Sequence, residues 1–461
     1  MADFLTLMPE TGSDSFFEGI ERVKPGHVTE IDKHGAIRSW MHWQPALDEI
    51  RLPHASDYVD VTRATFDESV SCRMRRLSGS IGSHLSAGLD SSGVTATAAR
   101  LNELEKLYAF TSVATDGHSN SGRYLANEEP LATATALRYP NIDHVHVATS
   151  GVSPLAGMDR HFQLFQRPIL NPCNAVWNDA INDAAQARGV TVMLTGQMGN
   201  MTISHSGMQQ LNLLARKGAI PALFVLMTKL HRRGHSWQSL AAQAFGPFMP
   251  TEVWTWLARK FNRSLNLSEY SALHAAAFDA LDVGERSKER ALDLSYRPWA
   301  NSQTMRLWAL RRVDFGVYNK GTLAGWGIDQ RDPTSDRRLI ELTLRIPERH
   351  FILNGECRSL ARRAFADRLP AAVVAEQRRG MQASNWQLGV SNAHLAIAEE
   401  FDVLERNPQA REIIDLAGLR QAHAKWPDAD PNTDATANLY RHAMLRALAA
   451  GHFLRKVGRT N

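Results

Sequence analysis

Asp90 stands between a turn of small residues and two serines, directly after an apolar run: residues 81–95 read IGSHLSAGLDSSGVT. The pattern predicts a short strand, a tight turn over Ser86, Ala87, Gly88, Leu89, Asp90, Ser91 and Ser92, and then a helix. Residues without bulk let a phosphate approach main-chain N–H groups, and the opening helix adds its positive dipole end. The hydroxyls of Ser86, Ser91 and Ser92 add donors. Asp90 breaks the pattern, because a carboxylate facing a phosphate repels it. A magnesium ion held jointly by Asp90 and phosphate oxygens resolves the conflict. The stretch is neither G-x-x-x-x-G-K-[ST] nor G-x-G-x-x-G. A serine-rich helix cap is the plainer alternative; the Asp set between small turn and serines argues against it.

Such a turn needs a sheet to hold it. After 94–104, read as helix, Leu107–Val113 reads as a strand running into the polar loop 114–122. Residues 127–138 read as a helix, 142–147 as a strand and 174–188 as a helix, and Val190–Leu194 as an apolar strand ending in Thr195-Gly196. Strands alternating with helices predict a doubly wound parallel sheet, whose ligands sit at the carboxyl ends of its strands. The loops 86–92, 114–122 and 195–206 are therefore expected to share one cleft.

Upstream, 13–23 is read as a short helix, 27–32 and 36–43 as a hairpin, 46–55 as a linker and 58–77 as a helix. From 208 onward the pattern turns helical, with amphipathic stretches at 270–292, 302–315 and 433–451. Residues 219–230 read as a buried helix, too short to span a bilayer, and Trp254, Trp256 and Trp308 read as core. The segments 319–336 and 377–386 read as loops that reach back over the cleft.

The chain has 461 residues, 44% hydrophobic and 22% charged, which is ordinary for a soluble chain of two or three domains. Its 52 basic and 48 acidic residues leave a net charge of only +4, weak support for nucleic-acid binding. Cys72, Cys173 and Cys357 are scattered without a CxxC pair, which fits a reducing cytosol, and no signal peptide is legible.

Together these pieces resemble the synthetase domain of the asparagine synthetase family. Residues 86–92 match its SGGxDSS pyrophosphate loop, with Ala87 for one glycine. RDPTSDRRLIEL, from Arg331 to Leu342, matches R-x-P-[F]-x-D-x-R-L-[VI]-E; Leu369-Pro370 with Arg378-Arg379-Gly380 matches LP…[RK]K-x-G; His27 in KPGH matches the end of the family's glutaminase domain. The resemblance implies an ATP-pyrophosphatase-type α/β fold with a large helical C-terminal part and a small N-terminal β remnant of a glutaminase-like domain. The expected boundaries are 1–57 for that remnant and 58–461 for the synthetase, divided into 58–206 for nucleotide and 207–461 for the helical part.

The resemblance further implies ATP and Mg2+, with Asp90 as metal ligand and 86–92 as pyrophosphate loop. The family's second motif, SGEGADE, stands here as TGQMGNM: Thr195, Gly196, Gln197 and Asn200 are nucleotide-binding candidates, but the acids are replaced, so either Asp90 holds more of the metal or carboxylates elsewhere, such as Glu128 or Glu129, help. Asp329, before R-x-P, and Tyr296 are candidates for an acid–tyrosine pair in amide formation; Arg378 or Arg379 stands where the family has a lysine. Asp336 is expected to cap a helix. No cysteine precedes Cys72, so glutamine hydrolysis is not expected. The wording of 325–341, 195–204 and 378–386 is most similar to the lasso peptide macrolactam synthetases. That implies a precursor peptide as substrate, a leader peptidase and a leader-recognition protein as partners, no nucleic acid, no membrane insertion and a cytoplasmic site. An ammonia-dependent asparagine synthetase, a β-lactam-like synthetase and an inactive peptide-binding homologue are the alternatives.

Overall fold

The structure, a computed structural model, describes residues 1–75, 79–102, 105–113, 124–261, 267–426 and 433–458. The strands β1 (His27–Ile31) and β2 (Ile37–Met41) form the expected antiparallel hairpin. The strands β3 (Ser80–His84), β4 (Leu107–Val113), β6 (Ile142–Ala148), β7 (Val190–Leu194) and β8 (Asp329–Arg331) build a five-stranded sheet, while β5 is the short Tyr124–Leu125. The order is β6-β4-β3-β7-β8 and every pairing is parallel, so the chain reverses its direction of growth between β3 and β7. A crevice at that switch point is where such sheets take ligands.

The central strands are buried on both faces, as a parallel sheet requires. Ile81, Leu107, Val192 and Leu194 pack with Phe66, Val94 and Phe365 on one side; Phe110, Val190 and Met193 pack with Phe165, Ile181 and Trp326 on the other. Gly93 lets the helix Leu89–Leu101 approach closely: a Cβ there would lie 2.7 Å from the Phe365 ring. A separate core gathers the C-terminal helices around Phe401, Leu404, Met444 and Leu448, and includes Phe4 and Leu5 from the N-terminus.

Several expectations are corrected. Residues 13–23 form no helix: Gly19 takes φ +73°, Asp14 bridges Glu21, and Phe16 leaves to pack edge-on against Phe4 and Phe453. Residues 270–292 break into Leu267–Tyr270, Ala275–Ala280 and Val283–Glu289, because Leu273 bridges Ile414 and Asp282 turns left-handed. The segment 319–336 is no loop. It continues the helix Phe315–Trp326, stops at Gly327 and enters β8. The helix Ile220–Arg232 forms but is not buried throughout, since Phe224 is 63% and Val225 52% exposed. Trp256, at 59% exposed, is surface rather than core.

Candidate functional site

The carboxyl ends of β3 and β7 open into a cavity of about 980 Å³, at the upper end of the ~300–1,000 Å³ that small-molecule sites occupy. Its floor is the turn after β3. Gly88 is the N-cap, so the helix begins at Leu89 and Asp90, Ser91 and Ser92 form its first turn. Hydroxyls brace the turn: Ser86 Oγ lies 2.6 Å from Ser91 Oγ and accepts from Gly88 N at 3.0 Å, while Ser92 Oγ donates to Ser86 O at 2.6 Å.

Asp90 is held from the other side by the turn after β7. A Cβ on Gly199 would lie 2.1 Å from the Asp90 carboxyl, and one on Gly196 would lie 2.8 Å from the Asp90 carbonyl carbon and the Ser91 nitrogen. The two glycines thus set the distance between the turns. That turn is pinned in its own right: Thr195 N donates to Arg331 O at 3.0 Å, and Met198 N donates to Asp332 Oδ2 at 3.0 Å. Asp332 also accepts from Thr334 N at 2.8 Å.

Burial pushes both the Asp90 and the Asp332 carboxyls up to about 6, and for Asp332 the nearby Asp90 charge adds to it. Asp90 Oδ1 is buried without a hydrogen-bond partner. An orphaned hard oxygen on a desolvated carboxylate beside a phosphate-type turn fits magnesium, which takes one or two carboxylates and fills its remaining positions with phosphate and water. Among the described residues no group of three or more His, Cys, Asp or Glu is placed to hold a metal, so phosphate oxygens would have to complete such a site.

Of the two glutamates proposed from sequence, Glu128 reaches the turn: its Oε1 accepts from Ala87 N at 3.2 Å, and burial raises its pKa. Glu129 does not line the cavity. Gly380 leaves Glu128 room, since a Cβ there would lie 2.3 Å from Oε1. The strand Arg379–Gly380 pairs in parallel with β5 and carries 378–385 over the cavity, as expected of that segment. The loop 114–122 expected in the same cleft lies outside the described residues, save that Val113 before it lines the wall.

The cavity brings together Ser86, Ala87, Gly88, Asp90, Ser91, Thr195, Gly196, Gln197, Asn200, Arg378 and Arg379. Leu89 and Ser92 are buried beneath the turn. Arg378 is committed to Glu376, with Nε 2.9 Å from Oε1.

Asp329 and Tyr296 do not reach the cavity. Asp329 pairs in register with Val192, two residues short of the carboxyl edge of β7, and its Oδ2 accepts from Arg331 Nε at 2.8 Å. Tyr296 is turned away where Arg297 Nη1 donates to Met249 O at 2.8 Å, and its hydroxyl bonds that of Tyr270. Asp336 caps the helix Arg337–Arg345 as expected.

Sequence reading missed Asp332, Arg358, Gln209, Gln330 and Asn385. Asp332 had a local signal, the Asp-Pro-Thr turn it caps. Arg358, left-handed at φ +59° and lining the cavity, had none. Gln209 Oε1, Gln330 Nε2, Asn385 Nδ2 and Trp177 Nε1 are buried on this wall without partners.

A family model described as asparagine synthase matches residues 61–451. The comparison with curated proteins finds no match. Among the described residues no helix is long and apolar enough to cross a membrane.

Proposed function

We propose that this chain, which belongs to the asparagine synthase family and is thereby an ATP-dependent carbon–nitrogen ligase, adenylates an Asp or Glu side chain of a precursor peptide. The peptide's own N-terminal amine then closes a macrolactam. The observation that carries the peptide reading is the set of buried, unpartnered neutral groups facing one cavity: Gln209 Oε1, Gln330 Nε2, Asn385 Nδ2 and Trp177 Nε1. A buried polar atom without a partner is costly, and a ligand that supplies complementary amide groups removes the cost. Peptide C=O and N–H groups are such partners.

A carboxylate is a poor acyl donor because its oxygen leaves badly. Attack of that oxygen on the α-phosphorus of ATP gives an acyl-adenylate and releases pyrophosphate. The turn N–H groups, the Ser86 and Ser91 hydroxyls and the first turn of the helix face the departing charge. The Arg358 and Arg379 guanidiniums lie on the same wall, with no ion pair among the described residues. Asp90 would hold magnesium, which supplies Lewis-acid stabilisation of phosphate charge. Glu128 occupies the Ala87 amide that an arriving phosphate would claim. The acyl-adenylate must meet the amine before water, so the amide-lined wall has to orient the peptide and exclude solvent. This reading places the enzyme in the cytosol beside a leader peptidase and a leader-recognition protein.

Ammonia-dependent asparagine synthesis, or a β-lactam-like closure, is the second reading, favoured by the family match itself. The test is incubation with ATP and Mg2+ and either free aspartate with ammonia or synthetic peptides bearing an N-terminal glycine and an internal Asp or Glu. Pyrophosphate release with loss of one water from the peptide supports the proposal. Turnover of free aspartate alone sinks it in favour of the second reading. Background release from the wild type and Asp90→Ala alike would mark a binding protein without turnover.

A further inference from the structure

The cavity wall carries a group that the roles above leave unused. His161, on the helix Met158–Phe165, lines the cavity and is 6% exposed. Its Nε2 lies 3.0 Å from Oδ1 and 2.8 Å from Oδ2 of Asp179, on the helix Pro172–Gln186. Asp179 does not line the cavity, so the carboxylate stands behind the ring. Two features hold the pair. Phe165 packs against the imidazole at 4.9 Å, and a Cβ on Gly157 would lie 3.3 Å from Asp179 Oδ2 and 3.4 Å from His161 Cδ2. A carboxylate on Nε2 keeps the proton on that nitrogen and leaves Nδ1 as the acceptor. Among the described residues Nδ1 has no hydrogen-bond partner.

The charges on neighbouring elements are committed elsewhere. Asp159 faces His452 and Lys456, and Arg160 faces Asp183 and the Trp326 ring. From the helix Phe315–Trp326, Tyr318 faces Arg167 and Lys320 is exposed. Among the described residues Asp179 is the ionic partner of His161.

We propose that His161 is the base that accepts the proton of the attacking amine, and that Asp179 is its positioning residue. This rests on the adenylation reading and holds for a peptide amine or for ammonia. The lone pair of the free amine attacks the acyl carbon, and the C–N bond forms as the carbonyl π pair moves onto oxygen. One proton passes from that nitrogen to His161 Nδ1. The carbonyl re-forms, the C–O bond to the AMP phosphate breaks, and AMP leaves with that electron pair. The imidazolium then returns its proton to solvent.

The test separates the two half-reactions. Wild type, His161→Gln and Asp179→Asn are assayed with ATP, Mg2+ and the peptide or aspartate–ammonia probes, reading ATP–pyrophosphate exchange and amide formation independently. His161→Gln is expected to lower amide formation by about 10²-fold while exchange falls no more than a few-fold. Methoxyamine, which is unprotonated at neutral pH, should still capture the acyl group in that variant. Asp179→Asn should lower amide formation while exchange stays within a few-fold, and Asp179→Glu, which keeps a carboxylate for Nε2, should recover part of the loss. Amide formation that survives His161→Gln overturns the proposal. So does equal loss of both half-reactions, which would make the pair structural. If the wild type shows no exchange with any probe, the adenylation reading fails first and takes this inference with it.

Discussion

Around the turns after β3 and β7 the cavity is walled by main chain; elsewhere, by side chains from distant segments. The first region is two short turns after β3 and β7, locked so closely that Gly196 and Gly199 leave no room for a Cβ against Asp90 and Ser91. The second is drawn from Trp177, Gln209, Gln330 and Asn385, none adjacent in sequence, with polar atoms awaiting partners. The contrast teaches that one end is shaped for a constant ligand and the other for a particular one. Backbone amides and a helix end recognise phosphate whatever its attachment. Amide side chains recognise one arrangement of acceptors and donors, and their identities can drift without disturbing the turns.

Asp90→Ala is expected to have the largest effect, lowering pyrophosphate release by about 10³-fold, because stabilising developing charge in a buried site contributes more to the rate than any other single effect. A Mg2+ titration of the residual activity checks that the loss is of metal binding. Gly199→Ala tests whether the locking of the turns matters. Displacing Asp90 should cost about 10²-fold in the same assay, since small misplacements of a catalytic group cost that much. Activity within twofold of wild type would break the distinction between the two ends.

The pH dependence sharpens it. The Asp90 and Asp332 carboxyls have folded values near about 6, against 3.8 for the free group. Between these values the folded chain binds more protons than the unfolded one, so the nucleotide-free protein loses stability as pH rises through that window. Above it both carboxylates are charged, and magnesium with ATP offsets the cost. The gain in Tm on adding Mg2+ and ATP should therefore be several-fold larger at about pH 7.5 than at about pH 5. Asp332→Asn should narrow that difference.

At the other end, Asn385→Ala should raise the KM for the acceptor peptide about fivefold, the worth of one hydrogen bond, and leave the KM for ATP alone. A matched rise in both would mean the ends are not separable. Smallest of all, Ile37→Ser on the hairpin should change stability by no more than about 0.5 kcal/mol in urea unfolding, since Ile37 is 71% exposed.

Much of the end built from the two turns was legible because its signals are local. Strands Leu107–Val113 and Val190–Leu194 have the bounds their apolar runs indicate, and the small-residue turn with Asp90 lies in one stretch of chain. The edge strand β8 was illegible: Asp329, Gln330 and Arg331 have no strand character, and only pairing with β7 makes them one. Read as part of a loop over the cleft, Asp329 instead pairs with Val192 within the sheet.

What the sequence determined by itself was the sheet's alternation of strand and helix, the small-residue turn around Asp90 and the family, because each rests on neighbours within a few residues or on their linear order. Tertiary structure decided that Glu128 rather than Glu129 meets that turn, that Asp332 pins the turn after β7, that Arg358 lines the same cavity, and that His161 stands before Asp179. Those are pairings between segments far apart in the chain, and no local propensity encodes which side chains the packing of helices on a sheet will bring face to face.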